Sequence, residues 1–274
     1  MTGSRKPASR AVATSAEAKL KLTVAIITLN AASQIEACLA SVGFADEILL
    51  VDSGSTDGTL EIAARFGARI EFKEWLGFGR QKAHAVAIAR NDWVLCLDAD
   101  ERVTGELARS IRAAMASPRY HAYRMPRRNR FLGRWLAHGE GYPDWSLRLF
   151  HRAHAGWSSD EVHEAVLTTV DVGRLEGDLL HDSAEDVTTY IGKQNRYTTL
   201  QARSLFAQGV RASYWRLLAS PLVRFVKFYV MRMGFLDGGP GFAHVVIGCG
   251  NTFHKYLKLI ELEKTSAGRE KGLP

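Results

Sequence analysis

Asp98 and Asp100 stand one residue apart in Leu97-Asp98-Ala99-Asp100-Glu101, directly after an apolar run. Two carboxylates so spaced at a strand end offer oxygen ligands to a hard divalent cation, Mg2+ or Mn2+. Taken alone, the triplet suits a solvated acidic turn equally well. A second constellation runs Val51-Asp52-Ser53-Gly54-Ser55-Thr56-Asp57-Gly58-Thr59. There an apolar run delivers Asp52 to a turn of small residues that lets another group approach the backbone closely. Asp57 is explained as a helix cap. Asp52 has no such structural employment in the sequence, and it suits hydrogen bonds from a nucleobase or ribose. A third, Gly77-Phe78-Gly79-Arg80-Gln81-Lys82, opens a basic helix with glycines, where backbone N–H groups and two cations can meet phosphates. It is neither G-x-G-x-x-G nor a Walker loop, which disfavours a dinucleotide or P-loop site.

The elements that must position these residues alternate. Residues 22–29, 47–52, 68–72 and 93–98 are short apolar, β-branched runs that read as buried strands. Between them the sequence predicts a helix capped by Ser33 and running to Val42. Further helices are expected from Asp57 to Gly67, over 80–90, and from a Thr104 cap to Ala116. Strands alternating with helices through short connections predict a parallel sheet covered on both faces, with ligands beyond the strands' carboxyl ends. Asn30, Asp52, Asp98 and Asp100 all fall at those ends. After Pro118 the pattern changes to strand-like pieces at 120–125, 146–151, 164–170 and 175–181. Helices then follow over 187–208, over 213–236 with a break near Pro221, and over 242–264.

Charge and composition exclude several classes. The chain has 274 residues, 46% of them hydrophobic, which is enough for a proper core. Its three cysteines are far apart and odd in number, which excludes a disulfide scaffold and a Cys-based zinc module. The first 20 residues lack the apolar core of a signal peptide and read as a loose tail, and no run of about 20 apolar residues spans a membrane. Residues 1–118 hold 14 basic and 14 acidic residues, so the whole excess of +7 lies in residues 119–274. Residues 187–236 carry eight basic residues and no acid. Such asymmetry predicts that the second half meets an anion. No nucleic-acid-binding motif accompanies it, and nucleic acid would leave the rim carboxylates idle.

Together, the three motifs in this order resemble a family 2 glycosyltransferase with the GT-A fold. The matching residues are the AIITLN strand end at Asn30, VDSGSTDGT at 51–59, Lys82 in its helix, and LDADE at 97–101. The resemblance covers about residues 22–170. It implies an α/β GT-A (Rossmann-like) fold, a mixed, mainly parallel sheet flanked by helices with a helical C-terminal extension. The chain then divides into a tail (1–20), a catalytic domain (21–182, donor half 21–118 and acceptor half 119–182) and a helical region (183–274). It also implies an inverting, metal-dependent transferase with a nucleotide-sugar donor. Asp100 would be the metal-contacting member of the D-x-D, with Asp98 on the donor side. Asp52 would contact the base, Thr28 and Asn30 would border the nucleotide pocket, and Lys82 would sit near the diphosphate. Many relatives carry two successive Asp residues after the second strand, whereas this chain has Ser53 in the second place.

In the second half, Gly141-Tyr142-Pro143-Asp144-Trp145-Ser146-Leu147-Arg148, then Val162-His163-Glu164, then Tyr190, Lys193, Asn195, Arg196 and Tyr197 are similar to one subgroup. These are the lipopolysaccharide core β-1,4-glucosyltransferases that act on the first inner-core heptose. The subgroup implies glucose from UDP-glucose as the transferred sugar and a phosphorylated glycolipid acceptor. It places the enzyme at the cytoplasmic face of the bacterial inner membrane. Inverting transfer needs a base for the acceptor hydroxyl, and Asp144 lies where the family's catalytic carboxylate is expected. Glu101, Glu140 and Glu164 are rivals on the acceptor side, and His163 with Glu164 borders that site. Tyr142 and Trp145 are expected to stack on sugars, and Arg148 to pair with phosphate.

His138, His151, His154, His163 and His181 match no zinc spacing and read as hydrogen-bonding residues. After Pro221 the cations Arg224, Lys227 and Arg232 share one helix side, opposite Phe225, Val226, Tyr229, Val230 and Met233. That suits a helix on an anionic membrane with its cations reaching headgroups, or equally one packed on the catalytic domain or in a homodimer. A different glycan or protein acceptor and a nucleotidyltransferase are the competing readings.

Overall fold

The computed structural model describes residues 20–158, 164–183 and 186–270. From the amino end the chain runs β1 (Leu22–Thr28), α1 (Ile35–Ser41), β2 (Glu47–Asp52), α2 (Thr59–Arg65), β3 (Arg69–Phe72), α3 (Phe78–Ile88) and β4 (Trp93–Asp98). β1 is buried along its whole length, as a central strand covered on both faces must be. Its alternate residues serve two cores: Val24 and Ile26 face one, Ala25 and Ile27 the other. β1 pairs in parallel with β2 and β4, and β2 with β3. All four strands of this half therefore end at one rim.

The chain continues through β5 (Glu101–Val103), α4 (Gly105–Ala116), β6 (Ala122–Phe131), β7 (Arg134–Trp135), β8 (Asp144–His151), β9 (Ala155–Trp157), β10 (Val166–Thr168), β11 (Val172–Arg174) and β12 (Leu179–His181). β8 joins β4 antiparallel, and the sheet order is β3-β2-β1-β4-β8-β6-β12-β5. The sheet is mixed, as expected. Three helical segments close the chain: α5 (Val187–Ala207), α6 (Tyr214–Phe225) with a π-helical turn after it (Val226–Met231), and α7 (Gly238–Glu270). Among the described residues no helix is long and apolar enough to cross a membrane.

Several local expectations shift. Ser33 does not cap α1, whose first residue is preceded by Gln34 with no side-chain cap. Its entrance is tied instead from the neighbouring loop, where Thr59 Oγ1 accepts from Ala31 N and Asp57 accepts from Ala32 N. Asp57 also accepts from Thr59 N, although α2 starts one residue later than a cap at Asp57 implies. The strand expected over 175–181 is shorter, β12 alone (Leu179–His181), and it follows an additional strand, β11 (Val172–Arg174), through a turn at Gly177 with φ +85°. A Cβ there would run into the backbone nitrogen of Leu107, so only glycine lets the chain turn against α4. Pro221 does not break α6, which continues to Phe225. The break comes after the π-helical turn, where Met233 adopts φ 54° before a short 3-10 turn, Gly234–Asp237.

Candidate active site

The register sets the rim. Thr28 lies opposite Asp52, and Ile27 opposite Asp98, so three strands deliver their last residues side by side. Asn30 follows at φ 50°, a conformation asparagine tolerates better than most residues. Its Oδ1 accepts from Thr56 N at 2.8 Å and its N donates to Ser55 Oγ at 2.8 Å, joining the loops after β1 and β2. Asp52 proves to have a structural role after all. Its Oδ2 accepts from Gly54 N and Ser55 N at 2.8 and 2.9 Å, and its Oδ1 from Ser55 Oγ at 2.5 Å. The carboxylate builds the loop, and any base recognition falls to the loop it holds. α3 starts after Gly77 at φ 90°. Its buried Gln81 donates to Ser53 Oγ and Lys73 O, which locks the helix to the same loop.

From this rim a chain of alternating charges runs inward. Lys82 Nζ lies 2.9 Å from Asp98 Oδ1. Arg148 Nη2 reaches Asp98 Oδ2 at 3.0 Å and Glu101 Oε1 at 2.9 Å. Arg127 Nη1 meets the same Glu101 oxygen at 3.4 Å, and its Nε and Nη2 both donate to Asp144 Oδ2, at 2.9 and 2.7 Å. Trp157 is the platform beneath it, with Lys82 Nζ 4.7 Å and the Arg148 guanidinium 5.5 Å from the ring. Burial works against the charge of Asp98, and Lys82 and Arg148 overcome it, holding the carboxyl well below the usual range. Burial also disfavours the Arg148 cation, but Glu101 and Asp98 raise its pKa.

Asp100 stands apart from this chain. Its Oδ2 faces His181 Nε2 at 3.3 Å, and its Oδ1 is buried without a hydrogen-bond partner. His181 Nδ1 meets Asn129 Oδ1 at 2.8 Å, while the Asn129 amide nitrogen donates to Gly141 O. The proton of a neutral His181 therefore sits on Nδ1, which leaves the Nε2 lone pair toward Asp100. A carboxylate with a free buried oxygen and an imidazole aimed at it fit a divalent cation. No group of three or more metal-ligating side chains assembles among the described residues, so the rest of a coordination sphere would come from substrate and water. Thr28 Oγ1 and Arg148 Nη1 are likewise buried without partners. Buried polar atoms are rarely left so, and these three belong to one rim.

Beyond Asp144 lies a cavity of about 460 Å3 between the start of β8 and the three C-terminal helical segments. Glu140, Asp144, Trp145, Tyr190, Arg224 and Arg232 line it. Arg224 pairs with Glu140 and donates to Thr252 Oγ1, and Arg232 donates to Tyr142 O at 2.8 Å. Both cations thus turn into the protein, against the expectation that they reach lipid headgroups. Trp145 is held between the Arg124 and Arg174 guanidiniums at 5.3 and 5.4 Å. His244 adjoins Tyr190 at 3.4 Å, and burial favours its neutral form.

The structure thus joins Lys82, Asp98, Arg148 and Asp144, and it moves several other residues. Glu101 is no acceptor-side base: it is fully buried, and it accepts from Asp98 N as well as from two arginines. Tyr142 is not among the residues that line the cavity; its hydroxyl donates to Asp178, and burial with that carboxylate pushes its pKa up to about 12. Glu164 approaches Lys82 at 3.8 Å on the donor side rather than the acceptor side. His163 lies outside the described residues. His138 pairs with Asp237, and His151 and His154 cluster with His121, which the sequence did not single out. Arg127, His181 and Trp157 were missed as site residues. An arginine-rich strand facing an acidic strand end was the one available signal, for Arg127.

A family model described as Glycosyl transferase family 2 matches residues 23–168. An uncharacterized glycosyltransferase of Rickettsia typhi, RT0209, is 32% identical over 259 residues, covering 90% of this chain and 88% of its own. The lipopolysaccharide core biosynthesis glycosyltransferase LpsC of Rhizobium meliloti is 29% identical over 251 residues, covering 89% and 93%. Among solved structures, mannosyl-3-phosphoglycerate synthase from Rubrobacter xylanophilus overlaps only in part. It is 24% identical, covers 40% of this chain and 41% of that one, and has a TM-score of 0.36.

Proposed function

This chain belongs to glycosyl transferase family 2, and from that premise we propose that it moves glucose from UDP-glucose to a hydroxyl of a lipopolysaccharide inner-core heptose, with inversion. The observation that carries the reading is the chain of charges that leads from the strand-end rim to Asp144 at the mouth of the cavity. It couples a place for a diphosphate to a place for an acceptor. The likeness to LpsC along almost the whole chain supports the acceptor class.

In this reading the acceptor oxygen attacks the anomeric carbon as the bond from that carbon to the diphosphate breaks on the opposite side. Asp144 takes the hydroxyl proton, oriented by the two hydrogen bonds from Arg127. Lys82 and Arg148, fixed over Trp157, face the charge that develops on the leaving diphosphate. A divalent cation, Mg2+ or Mn2+, would be held by Asp100 and His181 and would supply further neutralisation of that charge. Trp145 and the polar wall of the cavity position the acceptor.

The test is a transfer screen across nucleotide sugars with a heptose-bearing lipid acceptor, run with wild type and Asp144→Asn. We expect transfer of labelled sugar by wild type and a loss of about 10²–10⁴-fold in kcat for the variant, with donor affinity kept. Undiminished turnover in folded Asp144→Asn, or transfer of labelled nucleotide in place of sugar, would overturn the assignment.

A further inference from the structure

We propose that the outer face of α6 and its π-helical turn is a docking face that seats the protein in the plane of an anionic lipid bilayer. The helix has two dissimilar sides. Leu217, Arg224, Phe228 and Arg232 turn inward, the last three onto the cavity. Trp215, Leu218, Leu222, Val226, Val230 and Met231 turn outward. They are far from marginally exposed: Trp215 keeps 77%, Leu222 69% and Met231 74% of its surface open. Large apolar side chains in a continuous row on one helix face mark a docking surface, because isolated ones are common and contiguous ones are not. The row continues past the break through Phe235, Leu236 and Phe242.

Charge selects the occupant. Residues 187–260 contain ten Lys and Arg and a single acid, Asp237. That acid is buried, accepting from the backbone of Ala137 and His138. Every exposed charge within residues 187–260 is therefore basic; the acids of the last turns of α7 follow, and Glu263 is tied to the entrance of α6 by accepting from Ala212 N. Arg216 and Lys227 are exposed and follow Trp215 and Val226 by one residue, about 100° around the helix, so they flank the row. A second copy packed on this face would oppose like charges. An anionic bilayer instead accepts apolar side chains between headgroups and cations beside them. With no spanning helix among the described residues, the helix lies in the membrane plane. Since its inner side walls the cavity, docking sets that cavity at the bilayer surface.

The test uses the full chain and phosphatidylcholine vesicles with or without phosphatidylglycerol. Wild type is expected to sediment with the anionic vesicles, and salt to weaken the binding. The double variant Leu218→Ser/Leu222→Ser should partition about 10-fold less, and each of Arg216→Gln and Lys227→Gln roughly 5-fold less. All four side chains are solvent-exposed, so unchanged melting curves will show that the variants fold. Brominated lipids should quench wild-type fluorescence, and Trp215→Phe should remove most of that quenching while sedimentation persists. Absence of wild-type binding to anionic vesicles overturns the proposal, as does undiminished binding by the leucine double variant. A wild-type dimer that those leucine changes dissociate assigns the face to a second copy and overturns it equally. No sugar substrate enters the assay, so its outcome is separate from that of the transfer screen.

Discussion

Replacing Asp98 with Asn strikes the charge chain where it is most strongly built. In the native protein Lys82 keeps 3% of its side chain exposed and Arg148 6%, and both lean on Asp98, which is 25% exposed. The variant leaves Arg148 its Glu101 contact at 2.9 Å but leaves Lys82 Glu164 as its one carboxylate among the described residues, at 3.8 Å, beside the Trp157 ring. Removing one partner from a buried ion pair costs about 3–5 kcal/mol. The partial exposure of Asp98 and the surviving Glu101 contact place the cost at the low end, about 3 kcal/mol. At roughly 2–4 °C per kcal/mol for a chain of this size, melting should fall by about 6–12 °C. Circular dichroism melts of wild type, Asp98→Asn, Lys82→Met and the double variant give the measurement. Coupling between the two sites should be at least about 1.5 kcal/mol. The acid limb adds a sign. The Asp98 carboxyl is held below its ordinary range when folded, so its contribution is present above the unfolded value near 3.9 and is lost as pH falls below it. The acid loss of stability should therefore be shallower in Asp98→Asn. A melting change under about 2 °C, or additive effects of the two substitutions, would refute the electrostatic account.

Three further outcomes follow from the same geometry. Arg127→Met removes both hydrogen bonds to Asp144, and kcat should drop by about 10²-fold at unchanged KM for the donor. Arg127→Lys should recover part of that loss and Arg127→Met should shift the pH–rate profile, which a merely structural residue would not do. Asp100→Asn should weaken Mn2+ binding in the presence of UDP by about 10-fold or more, read as free Mn2+ by electron paramagnetic resonance, with His181→Ala losing less. Gly177→Ala puts a Cβ against Leu107 N at a positive φ and should cost about 2–3 kcal/mol in denaturant unfolding; a loss under 1 kcal/mol would show that the turn can relax.

Much of the rim was legible because a buried parallel strand announces itself by composition and its carboxyl end then has only one place to be. Asp52 and Asp98 end their strands side by side in the register, and Asn30 follows β1 by two residues. What each carboxylate bonds to was not legible. Asp52 turns onto Gly54 and Ser55, a choice of rotamer that no spacing encodes. His181 meets Asp100 only because β12 pairs antiparallel with β5, placing His181 opposite Glu101. That partner is 81 positions away in sequence, and periodicity reports burial rather than partners. Arg127 reaches Asp144 through the β6–β8 register for the same reason. Pro221 is the breaker visible in the sequence, whereas the chain breaks after a wide turn whose residues carry no breaker at all.

The basic excess of the second half carries a further consequence for the site. Several of its arginines are internal: Arg127 and Arg148 serve Glu101, Asp144 and Asp98, and Arg224 serves Glu140. Around the rim, Lys82, Arg127 and Arg148 stand against Asp98, Asp100, Glu101, Asp144 and Glu164, a formal balance of three positive to five negative groups. A diphosphate entering that balance meets net negative charge, and in a partly dry site like charges repel more strongly than in water. A divalent cation would offset that repulsion, and the buried free oxygen of Asp100 would be an unmet acceptor for it. Nucleotide and cation should therefore bind with mutual reinforcement, each weakly alone, because each removes the repulsion that excludes the other. Part of the positive charge read from the composition is paired with the acids of the site. The cations that remain exposed are spread over strands and loops, among them Arg119, Arg152 and Arg174, as well as over the C-terminal helices.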